Sequence, residues 1–148
     1  MKKLFLLTII AILYCGCAVF NYSSSESVVD FRNYTNRGFF ITPLPTIQID
    51  KEVTTIGIVK VTLDNIYEGY GRVNSDCKTA ITQDKATLSV LQAFDIKEYD
   101  VYDYAIARLV NKVIQLGGNG ITDFHISFSQ DKYNTGRIIA KGCAVNIK

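Results

Sequence analysis

The chain has 148 residues, 48% of them hydrophobic and 20% charged, with sixteen basic against fourteen acidic side chains. That length supplies one core of ordinary size and not two. A near-neutral balance gives no long-range field to gather phosphates, which argues against nucleic acid as a partner.

The first element is Lys2-Lys3, an apolar run Leu4–Leu13 interrupted by Thr8 alone, and then Tyr14-Cys15-Gly16-Cys17. A basic end, a short apolar run and a small residue before a cleavage point predict an export signal over residues 1–16. A cysteine directly after Gly16 predicts a lipoprotein signal, with Cys17 acylated as the mature N-terminus. Cys17 fits better than Cys15, because Tyr14 would crowd the peptidase pocket where Gly16 does not. The competing readings are an ordinary cleaved signal and a signal anchor, and a spanning anchor needs about 20 apolar residues. The run, extended through Phe20, approaches that length only by taking in two cysteines and a glycine. Cleavage would remove Lys2 and Lys3 and leave fourteen charges of each sign. Ala18, where an aspartate would hold a Gram-negative lipoprotein in the inner membrane, points to the outer membrane and a periplasm-facing domain.

Residues 17–30 are expected to be a lipidated end and flexible tether, Asn21–Ser27 being polar and serine-rich. Residues 31–53 form an N-terminal arm in which Phe31, Tyr34, Phe39 and Phe40 alternate with Asn, Arg and Gly. Such aromatics either stack on a ligand or, the reading favoured here, cover the sheet. Pro43 and Pro45 enforce an extended connector. The folded domain is assigned to 54–148. Within it, Val59, Val61 and Leu63 alternate with Lys60 and Thr62, a half-buried strand. Residues 64–96 carry weak signals, with a bend near Gly69 and Gly71 and room for a short helix within 82–94.

The clearest signal is a helix from Val101 to Leu116. Asp100 is placed as N-cap with Asp103 three residues on. Tyr102, Ala105, Ile106, Leu109, Val110, Val113 and Leu116 make one apolar stripe. Gly117 supplies a left-handed stop. Two strands close the chain. Thr122, Phe124, Ile126 and Phe128 are expected on one face of the first, with Asp123, His125 and Ser127 on the other. In the second, Ile139, Cys143, Val145 and Ile147 are expected to face the core, interrupted by Lys141. The predicted class is therefore α+β, a βαββ core. Its small antiparallel or mixed sheet of three or more strands is covered by one long amphipathic helix.

The run Leu116-Gly117-Gly118-Asn119-Gly120-Ile121 has the glycine content of a phosphate loop. Phosphate loops, however, follow a strand and open a helix, where amides face the anion. Here the order is reversed, so the run is read as a helix stop and tight turn. That helix and turn, with Gly142-Cys143-Ala144-Val145 in the last strand, resemble the YbjQ-type domain, a family that carries a heavy-metal-binding label. The resemblance covers Val101–Lys148 and the strand at Thr54–Leu63. It implies this fold and a ring-like assembly, and it leaves the anchor, the arm and residues 64–96 without a counterpart. The arm also resembles small Gram-negative lipoproteins of unknown function.

Zinc or copper would want Cys and His at close spacing. The mature chain offers only Cys77, His125 and Cys143 besides the lipid cysteine, with no CxxC or HxxxH. No metal site is expected, His125 and Cys143 being the weak candidates. Cys77 and Cys143 are the candidate disulfide, because an even thiol pair outside the cytoplasm favours a bridge; two isolated thiols are the alternative. A Ser-His-Asp set must use His125, and no Gly-x-Ser-x-Gly elbow exists. Glu98, Asp100 and Asp103 cluster at a helix start, where capping accounts for them. Tyr99, Tyr102 and Tyr104 nearby could form a binding surface. No catalytic residue and no cofactor are therefore assigned. The expectation is a non-enzymatic envelope lipoprotein, bound to the membrane by its lipid, with itself or another envelope protein as partner. The alternative is a small-ligand or metal-binding envelope module.

Overall fold

The computed structural model describes residues 29–46, 51–67, 83–130 and 135–148. In chain order they form α1 (Arg32–Thr35), β1 (Phe40–Ile41), β2 (Val53–Tyr67), α2 (Lys85–Ala93), α3 (Val101–Gln115), β3 (Gly120–Gln130) and β4 (Thr135–Ile147). The four strands make one mixed sheet in the order β1-β3-β4-β2. β4 is central and antiparallel to both β2 and β3, whereas β1 runs parallel to β3. The class is α+β.

Helix α3 forms where its caps and its apolar face agree. The Asp100 carboxylate accepts from the Tyr102 and Asp103 amides at 2.8 and 2.9 Å, and Asp103 Oδ2 accepts from the Asp100 amide at 3.1 Å. This closes the capping box that satisfies the first-turn donors. At the other end Gly117, at φ +80°, donates to Ile114, and Gly118 donates to Val113. Those two bonds make a Schellman stop. A Cβ on Gly118 would lie 2.7 Å from Val113 Cγ1 and 2.9 Å from the Val145 carbonyl. The side chain of Asn119 continues the turn as a substitute strand, exchanging two hydrogen bonds with the Ile147 backbone. Leu116–Ile121 is thus a helix stop that enters a strand.

The helical cover is wider than one stripe. α3 packs on β2, β3 and β4, and α2 lies beside α3. Val101, Tyr104, Ala105, Ile106, Ala107, Leu109, Val110 and Val113 are buried, while Tyr102 is only half-buried and Leu116 is 54% exposed. The flank that carries Tyr104 and Arg108 faces the start of α2. There Asp84 accepts from Thr87 N, Thr87 Oγ1 and Tyr104 Oη, and Arg108 Nε lies 3.8 Å away. Burial opposes ionisation of Asp84, but these hydrogen bonds and the guanidinium outweigh it and lower its pKa.

The arm joins the same core. Phe31 stands edge-on to Phe124, Tyr34 and Phe39 pack on Phe94, and β1 adds a strand beside β3. Its aromatics cover the core, as favoured above.

Two strand-face assignments are corrected by the register. In β3, Asp123 takes φ +51° and inserts an extra residue opposite Gly142. The bulge shifts the alternation by one. Thr122 therefore pairs with Cys143 on the outer face, while Phe124, Ile126 and Phe128 turn to the core. In β4 the core side is Ile138, Ala140, Gly142 and Ala144, the three non-glycine members being fully buried. Ile139, Cys143, Val145 and Ile147 share the opposite side with Lys141. The reason is steric: a Cβ at Gly142 would collide with Ile121 Cγ2 of β3, so the middle of this side, Ala140, Gly142 and Ala144, is kept small. The outer side, with more room, keeps the larger apolar residues. Val145 is buried there too, against Gly120 and Ile147 rather than in the main core.

Candidate functional site

The surface singled out by the fold is the outer face of the sheet and the free edge of β2. Register places the outer side chains in cross-strand rows. Ile58, Cys143 and Thr122 form one row; Lys60, Lys141 and His125 form the next; Thr62, Ile139 and Ser127 follow. Ile58 is 87% exposed, Cys143 and Ile139 are half-buried, and Lys60, Lys141 and His125 are exposed. Beyond them Arg137 is held by Asp64. Cross-strand neighbours lie about 5 Å apart at Cβ, and like charges directly opposite destabilise a sheet. Among the described residues, Lys60 and Lys141 have no carboxylate within 4.0 Å.

His125 is oriented by the β3 bulge. Its Nδ1 lies 2.8 Å from the Asp123 carbonyl and 3.5 Å from Asp123 Oδ1. A carbonyl only accepts, so this contact is a hydrogen bond donated by Nδ1–H.

β2 is the last strand of the sheet, and among the described residues no strand lies on its far side. Bulges interrupt its register between Thr55 and Gly57 and between Leu63 and Ile66. Between them, Gly57–Leu63 pairs with β4 without a break. Its outward backbone groups form a seven-residue template for another strand.

No family model matches this chain, and no curated protein matches it. Among solved structures it is similar to a protein of unknown function from Pediococcus pentosaceus ATCC 25745 that belongs to the DUF74 family. The two share 18% identity, with 75% of this chain and 99% of that one covered at a TM-score of 0.45.

The residues singled out in sequence fall in three places. His125 and Cys143 share the outer face, but Lys141 sits on the strand position facing His125, where it would repel a cation. Among the described residues, no three of His, Cys, Asp and Glu come together as a metal-holding group. Cys17 and Cys77 lie outside the described residues, so the lipidation site and the bridge partner of Cys143 do too. Asp100 and Asp103 are occupied as caps. Burial pushes the Asp103 carboxyl above its ordinary pKa, against the hydrogen bond from the Asp100 amide. Tyr104 is buried, Tyr102 half-buried and Tyr99 exposed, so the three share no surface.

Sequence reading missed the Lys60–Lys141–His125 row and the Asp84 cluster. Lys60 was legible as an outward position, whereas Lys141 was read as an interruption of the core-facing side, and only strand pairing sets the two opposite each other. Asp84 has the sequence Asp-x-x-Thr at a helix start, a capping signal within a segment whose periodicity is weak.

Proposed function

We propose that this chain is a non-enzymatic lipoprotein of a Gram-negative cell envelope, anchored in the outer membrane through acylated Cys17. Its folded part works as an assembly module, pairing with a second copy or another envelope protein along the edge of β2. One observation carries the reading: Gly57–Leu63 is an unbroken strand edge that no described strand pairs with. Unprotected edges are a hazard that proteins manage with bulges and lysine. β2 has a bulge at each end of this stretch and Lys60 within it. Those devices restrict pairing to one short register without covering the edge, which suits a defined partner better than open-ended aggregation.

The edge predicts its own test by amide exchange. In a lone edge strand, alternate amides point to solvent and exchange quickly, while those bonded to β4 are slow. In an assembled edge both sets are protected. Hydrogen exchange of the full chain in micelles is expected to show slow amides at every residue from Gly57 to Leu63. The protein mass of the particle, detergent excluded, should correspond to two or more mature chains or include a captured partner. A fast–slow alternation in a strictly monomeric particle with no partner would sink the proposal.

The anchor is tested separately. A single acyl chain holds a membrane marginally and two or more hold it stably. Cys17→Ser is expected to release the protein from the membrane fraction or leave the precursor uncleaved. Normal processing with membrane retention would move the anchor to Cys15 or to the apolar run Leu4–Leu13 itself.

A further inference from the structure

We propose that the outer face of the sheet, centred on the Lys60–Lys141–His125 row, docks on an anionic bilayer surface. The row itself is the first argument. Two lysines directly opposite each other, with a histidine next in register, cost stability in an isolated sheet. Among the described residues no carboxylate offsets Lys60 or Lys141, although Asp64 holds Arg137 close by and Asp123 stands beside His125. A layer of lipid phosphates would supply the missing counter-charge to both lysines at once.

The second argument is what flanks the row. Ile58, 87% exposed on one side, and Ile139, half-buried on the other, bracket the charges on a broad sheet surface. Apolar groups beside lysines are the composition of a surface that settles at the headgroup boundary, with alkyl parts dipping inward and ammonium groups at the phosphates. A second copy of the chain fits poorly here. Face-to-face pairing would bring four lysines together, with Asp123 already beside His125 and Asp64 already held by Arg137.

The third argument is reach, and it rests on the anchored reading proposed above. Val29, the first described residue, lies twelve positions after Cys17, and a chain of that length spans at most about 40 Å when extended. The domain thus stays within about its own width of the bilayer.

The absence of tryptophan from the sequence makes the test direct. Ile58→Trp places a single reporter on the face, and Ile114→Trp places one on the exposed side of α3, at a position 45% exposed. Each full-length variant is mixed with vesicles carrying a nitroxide-labelled headgroup lipid. These vesicles are either phosphatidylcholine alone or phosphatidylcholine doped with phosphatidylglycerol. The Ile58→Trp emission is expected to shift to the blue and be quenched with the anionic vesicles only, and the Ile114→Trp emission with neither. Adding Lys60→Gln and Lys141→Gln to the Ile58→Trp chain should weaken this contact about fivefold per charge, so about 25-fold for the pair. High salt should weaken it as well. Quenching that is equal on both vesicles, or that survives the double glutamine change, overturns the proposal. Sedimentation with neutral vesicles reads the anchor alone. A chain that sediments with them but is never quenched at Ile58→Trp refutes the docking and keeps the anchor. Quenching on anionic vesicles by a chain that does not sediment with neutral ones keeps the docking and removes the anchor.

Discussion

Gly142→Ala is expected to destabilise the fold by about 3 kcal/mol, the upper end of what overpacking usually costs. Gly57→Ala, on the strand beside it, should be neutral or stabilising by about 0.5 kcal/mol. The contrast is steric. A Cβ at Gly142 would collide with Ile121 Cγ2 and lie 3.0 Å from the Thr122 carbonyl, and neither can retreat. Ile121 is fully buried, and the Thr122 carbonyl belongs to the β3 backbone where the register shifts. At Gly57 nothing lies within 4 Å of the added carbon, and the backbone there is ordinary. Urea unfolding of both variants checks the pair. Similar midpoints for the two would mean that β3 moves off β4 freely and that the small-residue stripe does not set their spacing.

That stripe explains where sequence reading succeeded and where it failed. α3 was legible because its caps, its period and its stop all lie within the eighteen residues Asp100–Gly117, and each is a local rule. The strand at 54–63 and the two closing strands were legible for the same reason, as β-branched runs bounded by turn residues. The facing of β4 was not. Periodicity assigns the bulkier alternating set to the core, and here that set is Ile139, Cys143, Val145 and Ile147. The packed side is Ile138, Ala140, Gly142 and Ala144, small because its neighbours come close, and closeness is a tertiary fact. β3 adds a second reason. The bulge at Asp123 reverses the alternation halfway along the strand, and an aspartate at positive φ has no strong sequence signature. The basic row inherits both difficulties, since it exists only once the register of three strands is known. β1 was missed because two residues are too few to carry a period.

Asp84→Ala is expected to lower stability by about 2–3 kcal/mol, a loss of about 10 °C in melting temperature for a domain of this size. One carboxylate serves three ends. It caps α2 through the Thr87 amide and hydroxyl, accepts from Tyr104 Oη at 2.9 Å, and lies 3.8 Å from Arg108. Thr87 and Tyr104 are buried, so truncation withdraws a partner from groups that water reaches poorly. Asp84→Asn keeps an acceptor for the cap and removes the charge, so its loss should be smaller, about 1 kcal/mol. The pH dependence follows from the sign of the shift. The folded pKa of Asp84 lies below its ordinary value of 3.8. Its contribution is therefore complete above about pH 4 and fades as the pH falls through the lower folded value. Asp103 acts in the opposite sense. Burial raises its pKa, so its ionised form is disfavoured in the folded chain, and that penalty lifts as acid protonates it. Comparing wild type with Asp84→Asn from pH 7 to pH 2 cancels the Asp103 part and isolates Asp84. The stability gap between them should hold steady down to about pH 4 and close below it. A gap that is constant to the lowest pH would show that the folded pKa of Asp84 is not lowered, so that neither the hydrogen bonds from Thr87 and Tyr104 nor the Arg108 guanidinium favours its ionised form.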